Sequence, residues 1–190
     1  MITTLKLEPI ISLSREQFTQ LCQANPKTKL ELTAKGELVV MSPTGGESGI
    51  RNIELSCQLQ LWVKKTQSGL AFDSSTMFQL PSGAFRSPDA SWVRKERYLA
   101  LSLEERQTFP PICPDFIIEL RSPSDRLKDL RDKMQEYIDN GAQLGWLIDP
   151  IKKVVEIYRA NQCPEILQNP TLLDGEKVLL GFRLDLGQIL

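Results

Sequence analysis

The alternation of apolar and polar positions divides the chain into short strands and amphipathic helices. Leu13 and Phe18 bracket a capping box formed by Ser14 and Gln17, so a helix starts there and runs to about Ala24. Leu30-Glu31-Leu32 and Leu38-Val39-Val40-Met41, separated by Lys35-Gly36, read as two strands of a hairpin, and Pro43-Thr44-Gly45-Gly46 stops the second. From about Gly49 to Lys65, the apolar positions Ile50, Ile53, Cys57 and Leu61, flanked by Leu55, Leu59 and Trp62, predict a long helix with a wide buried face packed across a sheet. Gly69-Leu70-Ala71-Phe72, Met77-Phe78-Gln79-Leu80 and Ser87 to Val93 predict neighbouring strands, with Pro81-Ser82-Gly83 turning the chain before the last of them.

A polar connection with a short helical signal at Ser102 to Glu105 then leads through Pro110-Pro111 and Pro114 into Phe116-Ile117-Ile118-Glu119-Leu120. That run is almost continuously apolar, the signature of a central, buried strand. Ser122-Pro123-Ser124-Asp125 opens a helix, with Ser122 and Ser124 reading as caps; Leu127, Leu130, Met134, Tyr137 and Ile138 keep helical spacing until Asn140-Gly141 ends it. Leu144 to Ile148 closes a strand-helix-strand unit, which takes a right-handed crossover if its strands are parallel. Val154 to Tyr158 and Val178-Leu179-Leu180 predict further short strands. The order fits an α/β fold in which a central mixed β-sheet is flanked by helices, α+β being the neighbouring class. At 190 residues, one domain spanning 1–190 suffices.

Composition narrows the chemistry. The chain has no histidine, which removes Ser-His-Asp and Cys-His catalysis, histidine-ligated zinc and imidazole proton shuttling. Cys22, Cys57, Cys113 and Cys163 are scattered with no CxxC pair, so they read as reduced thiols. Carboxylates, lysine, tyrosine and serine remain. A net charge of −1 argues against a protein that coats nucleic acid, because phosphate affinity comes mostly from Lys and Arg, so any DNA contact must be local. No signal-like start and no membrane-length apolar stretch occur, so the expected setting is cytoplasmic and membrane-free.

Glu119 is the anomaly in the pattern, because a carboxylate within a buried strand costs several kcal/mol unless it is paired or metal-bound. A structural bridge to Arg121 or Lys133 would account for it without any function. Asp89, after Pro88 at a strand start, is by itself an ordinary boundary residue, but two acids at the ends of adjacent strands can converge on one hard cation. Lys133 falls beside Tyr137 on the border of its helix's apolar face, from where it can lean toward the carboxylates or pair with Asp129 one turn earlier. Arg121, Arg126, Lys128, Arg131 and Lys133 lie among Asp125, Asp129 and Asp132, which makes either a local basic rim or a solvated helix laced by ion pairs.

Pro88-Asp89, then Glu119-Leu120-Arg121 in an apolar strand, then a helix, resembles the PD-(D/E)XK nuclease superfamily. The longer series is similar to the Uma-type restriction endonuclease family. It comprises Leu30-Glu31-Leu32, Gly36 to Pro43, Ser87-Pro88-Asp89, Glu119 to Asp125, Lys133, Tyr137 and Gly141 through Pro150, and so spans most of the chain. The resemblance implies a restriction-endonuclease-like core, homodimers, Asp89 and Glu119 as ligands of Mg²⁺ or Mn²⁺, and Glu31 as a supporting acid. The motif wants lysine two residues after the acid, where this chain has Arg121, whose guanidinium stays protonated and cannot act as a base. Lys133 is then expected to supply the missing amine, and Arg121 and Tyr137 to contact the substrate.

The reading is hydrolysis of nucleic-acid phosphodiester bonds, DNA being the expected polymer. Two others stay open: a catalytically degenerate relative that binds nucleic acid or a protein, and a structural or regulatory homodimer whose acids form only internal ion pairs.

Overall fold

A computed structural model describes residues 2–190. The first half of the chain builds a five-stranded antiparallel sheet. Strand β1 (Ile2–Lys6) precedes helix α1 (Arg15–Ala24), which is capped by Ser14 and Gln17 as the capping box predicts. Next come β2 (Lys29–Leu32) and β3 (Glu37–Met41), a hairpin whose turn needs Gly36 at φ 74°. Helix α2 (Gly46–Thr66) and strand β4 (Gly69–Asp73) follow, then β5 (Phe78–Gln79) and β6 (Phe85–Arg86). The first sheet runs β1-β3-β2-β6-β5.

The second half adds β7 (Ala90–Arg94), the short helices α3 (Lys95–Leu99) and α4 (Leu103–Gln107), β8 (Phe116–Leu120), α5 (Leu127–Asp139), β9 (Leu144–Asp149), β10 (Val154–Arg159) and β11 (Glu165–Gln168). These strands and β4 form a six-stranded sheet ordered β11-β10-β9-β8-β7-β4, mixed because β8 and β9 are parallel while its other pairs are antiparallel. Strands β12 (Leu172–Asp174) and β13 (Arg183–Asp185) make a separate two-stranded ribbon.

Side-chain alternation along β8 divides the interior. Phe116, Ile118 and Leu120 point to one face, where they pack with Leu55, Leu59 and Val63 of α2 and with Leu179, Phe182 and Leu184 near the C-terminal end. Ile117 points to the other, against Met134 and Tyr137 of α5. The two long helices therefore cover opposite faces of the mixed sheet. A third cluster joins Phe18 of α1 to Leu30, Leu32 and Phe85 of the first sheet. Among the described residues no helix is long and apolar enough to cross a membrane. Gly69 sits under Trp92, where an added Cβ would overlap the indole and the Val93 carbonyl. Gly69→Ala is expected to cost about 1–3 kcal/mol in urea unfolding.

Four local expectations need correction. On α2 the buried apolar positions are Leu55, Leu59 and Val63, whereas Ile50, Ile53, Cys57 and Leu61 face outward, because the helix is apolar on two sides and periodicity alone does not choose between them. The 77–80 segment does not neighbour β4: the turn at Pro81 to Gly83 folds it into a hairpin with β6, leaving β4 to pair with β7. Ser122 and Ser124 do not cap α5. Arg126 is its N-cap, and the preceding loop is held by Ser122 N–H donating to the Asp125 carboxylate and by the two serine hydroxyls bonding each other. Val178-Leu179-Leu180 forms a turn rather than a strand, closed by Leu179 N–H donating to the Gly175 carbonyl, with Leu179 buried in the core.

Candidate active site

Strand register brings the two acids together. In the β7–β8 pair, Ala90 lies opposite Ile118 and Ser91 opposite Ile117, so continuing the antiparallel register by one residue sets Asp89 across from Glu119. Directly opposed residues have Cβ atoms roughly 4.5–5.5 Å apart. Both acids belong to the α5 face of the sheet, by alternation from Ile117 and Ser91. Asp89 is anchored by Leu120 N–H, which donates to its Oδ2 at 2.8 Å, while Asn52 of α2 approaches Oδ1 at 3.5 Å.

Lys133 reaches the same point from α5. Its Nζ lies 2.8 Å from Glu119 Oε1 and 3.0 Å from Glu31 Oε1, and it donates to the Ser87 carbonyl at 3.3 Å. Asp129 is not its partner. Tyr137, one turn further along the helix, donates its hydroxyl to Glu119 Oε1 at 3.1 Å. Glu31 arrives from the first sheet for a reason visible in its strand: Leu30 and Leu32 pack toward Phe18, so Glu31 between them must point the opposite way. There it accepts from Ser87 N–H (2.8 Å) and from Arg86 (3.0 Å), whose Nε also binds Glu136 of α5.

The electrostatics of the cluster follow from burial. Glu31 and Glu119 are 2% and 4% exposed, whereas Asp89 is half-buried. Burial pushes Glu119 up to about 7, because Lys133 only partly offsets the lost hydration and the Asp89 and Glu31 charges add to the rise. Burial likewise raises Asp89. Burial would raise Glu31 too, but Lys133, Arg86 and the Ser87 N–H outweigh it and hold that carboxyl down at about 2. Lys133 moves upward: burial opposes its charge, and Glu119 and Glu31 overcome that opposition. The Tyr137 hydroxyl, buried beside those carboxylates, is raised well above its ordinary value.

With every group ionised, Asp89, Glu119, Glu31 and Glu136 face Lys133 and Arg86, an excess of two negative charges. The donor set suits a hard divalent cation. Asp89 and Glu119 are paired oxygen donors, and the hydrogen bonds and ion pair to Glu119 fall on Oε1 rather than Oε2. Among the described residues no three His, Cys, Asp or Glu side chains form a ready-made metal cage, so any ion here would complete its shell with water or substrate oxygens.

Arg121 lies beyond the end of β8. Its Nη1 is 2.7 Å from Asp149 Oδ2, and its Nε is buried with no hydrogen-bond partner. It makes no bridge to Glu119. The surrounding basic residues are largely neutralised, Lys128 by Asp132 and Arg131 by Glu156, which favours the ion-pair-laced helix over an open basic rim. Arg86, Glu136 and Asn52 are site neighbours that the motif pattern does not mark, and Asp149, which lies inside its Gly141 to Pro150 stretch, carried no expected role. One signal was available for Arg86: a cation following Ala84-Phe85, directly before the Ser87-Pro88-Asp89 strand start, needs a buried acid to meet it.

The family model described as "Uma2: Putative restriction endonuclease" matches residues 15–187. Among solved structures, the chain is similar to one described as a "putative nuclease belonging to DUF820" from Anabaena variabilis ATCC 29413. The TM-score is 0.78 at 22% identity over 93% of this chain and 96% of that one, a likeness of fold. No curated protein matches the chain.

Proposed function

Since this chain belongs to the Uma2 family of restriction-endonuclease-like proteins, we propose that it is a nuclease that hydrolyses DNA phosphodiester bonds with Mg²⁺ or Mn²⁺ held by Asp89 and Glu119. The observation that carries this reading is the register of β7 against β8, which opposes the two acids while Lys133 Nζ stands 2.8 Å from Glu119. A bound divalent ion would supply Lewis acidity toward a phosphate oxygen and would lower the pKa of bound water, chemistry that requires no histidine.

The chain's own residues have distinct tasks in this reading. Lys133 fixes Glu119 and presents an amine at the place where the motif lysine, replaced here by Arg121, is missing. Glu31 holds Lys133 from the other side and is itself fixed by Arg86 and Ser87. Tyr137, fully buried, orients Glu119 through its hydroxyl and so acts on the substrate only through that carboxylate. Arg121, partly exposed and held in place by Asp149 through Nη1, contacts a substrate phosphate in this reading. The working unit in this reading is a homodimer.

A second reading, binding without cleavage, is favoured by one observation: the Lys133 amine is already shared between Glu119 and Glu31. Thermal unfolding with and without metal, alongside cleavage of supercoiled DNA, separates the two. At ten times its dissociation constant, Mg²⁺ or Mn²⁺ is expected to raise the Tm of the native chain by ~3–6 °C, and Asp89→Asn to abolish both that shift and cleavage. A metal shift without cleavage would select the binding role. An unchanged Tm in both proteins would sink the metal site.

A further inference from the structure

Basic side chains drawn into this fold end on a partner, with one exception. Arg51, Arg86, Arg97, Arg121, Lys133 and Arg159 all meet carboxylates, and half-buried Arg106 donates to the Ser102 carbonyl. Along α5 even the exposed bases Lys128 and Arg131 are spent on Asp132 and Glu156. Among the described residues, Lys29 of β2 is the one half-buried base whose ammonium has neither an ion pair nor a hydrogen bond.

The strand fixes where that charge stands. Alternation puts Lys29 on the same face of β2 as Glu31, away from Leu30 and Leu32, which pack toward Phe18. The β2–β6 pair sets Leu32 opposite Phe85, and continuing that antiparallel register sets Glu31 against Arg86, which it bonds, and Lys29 against Pro88, the residue before Asp89. From the other sheet, β4 pairs Asp73 with Ala90, the residue after Asp89. The Lys29 charge is felt at both acids: it joins Leu120 N–H and Lys133 in opposing the rise that burial imposes on Asp89, and joins the Ser75 hydroxyl in lowering Asp73. Asp73 spends its Oδ1 on Ser75 and Thr76, so it does not close on the lysine. Lys29 is half-buried like Asp89, and so reaches solvent where Glu31 and Glu119 do not.

We infer that Lys29 is a substrate-contacting residue, its ammonium donating to a DNA backbone phosphate next to the one that would sit at Asp89 and Glu119. The inference rests on the nuclease reading above and adds to it the side from which the strand is gripped. Charge explains the need. One divalent ion cancels the excess of two negative charges at the acid cluster, which leaves nothing to offset the phosphates flanking the scissile one. Arg121 is tied to Asp149 beyond the end of β8, whereas Lys29 comes from the first sheet with its charge uncommitted. A lysine suits this task, because a compact charge on a flexible stem follows a phosphate oxygen without demanding a bidentate geometry.

Fluorescence anisotropy of a short DNA duplex in Ca²⁺ over a salt series, together with steady-state cleavage in Mg²⁺, tests this on the full chain. Lys29→Gln should raise the duplex Kd ~3–10-fold at about 0.1 M salt, equally for unrelated sequences, and flatten the slope of log Kd against log salt by about 0.9, the signature of one lost phosphate contact. KM should rise by a similar factor with little change in kcat, and Lys29→Arg should restore both Kd and slope. The Mg²⁺-induced rise in Tm should persist in Lys29→Gln. Lys177→Gln, which removes an exposed lysine from the turn between β12 and β13, should leave Kd and slope as they are in the native chain. A Lys29→Gln protein that binds DNA with native Kd and slope would overturn the phosphate contact and leave the nuclease reading standing. Loss of kcat or of the metal-induced Tm shift would assign the lysine to the acids instead, and equal losses in Lys177→Gln would reduce it to bulk charge; either result overturns the inference. A native chain that binds no duplex would overturn both it and the DNA reading.

Discussion

Lys133→Met is expected to destabilise the protein by about 3–5 kcal/mol at pH 8, more than any other single change at the site, because it strands buried carboxylates. The amine is 2.8 Å from Glu119 and 3.0 Å from Glu31, and its side chain is 11% exposed, so no solvent is at hand to replace it. The two acids would not suffer equally. Glu31 keeps Arg86 and the Ser87 N–H, whereas Glu119 is left with the Tyr137 hydroxyl, so the penalty concentrates on Glu119. Two consequences make the claim testable by urea unfolding. The penalty should shrink toward pH 5, where Glu119, already raised to about 7, takes a proton and needs no cation. Lys133→Met combined with Glu119→Gln should lose clearly less than the sum of the single changes, as expected for groups in direct contact. Strict additivity would mean that the ion pair is not what the lysine contributes.

The central strand, its buried acid and the helix carrying Lys133 were legible in the sequence because each rests on a strong local signal. Phe116 to Leu120 is too apolar to be anything but interior, and Leu130, Met134 and Tyr137 keep helical period. The meeting of Asp89 with Glu119 was inferable only as strands brought side by side, since register is a property of two strands. The acid-base network behind Lys133 was not legible. Arg86 and Glu136 are 50 residues apart, and nothing in either local pattern announces their ion pair. The orientation of α2 was misread for a related reason: both of its faces are apolar, and only the folded sheet decides which is covered. Arg121 shows the limit of motif reading. Its spacing from Glu119 suggests a bridge between them, yet its guanidinium is taken by Asp149 at the end of the neighbouring parallel strand.

Glu119→Gln should separate the chemistry of the site from its stability, with opposite signs. The folded protein holds the Glu119 carboxyl at about 7, above its ordinary 4.5, so the folded state binds its proton more tightly than the unfolded chain does. Stability therefore falls as pH rises from about 4.5 to about 7 and levels off beyond, a loss on the order of 1–3 kcal/mol from this group. Glu31 works the other way in a lower window: held at about 2, it contributes stability that is present above 4.5 and lost as pH falls toward 2. In Glu119→Gln the decline between pH 5 and 7.5 should flatten, and the variant should match or exceed the native Tm at pH 8. Cleavage, in the nuclease reading, should drop by at least ~10²–10³-fold, and the Mg²⁺-induced rise in Tm, which needs the ionised carboxylate and so should grow from pH 6 to 8 in the native chain, should vanish. A variant that keeps the native slope would place the titrating group elsewhere, and one that keeps cutting would remove Glu119 from the metal.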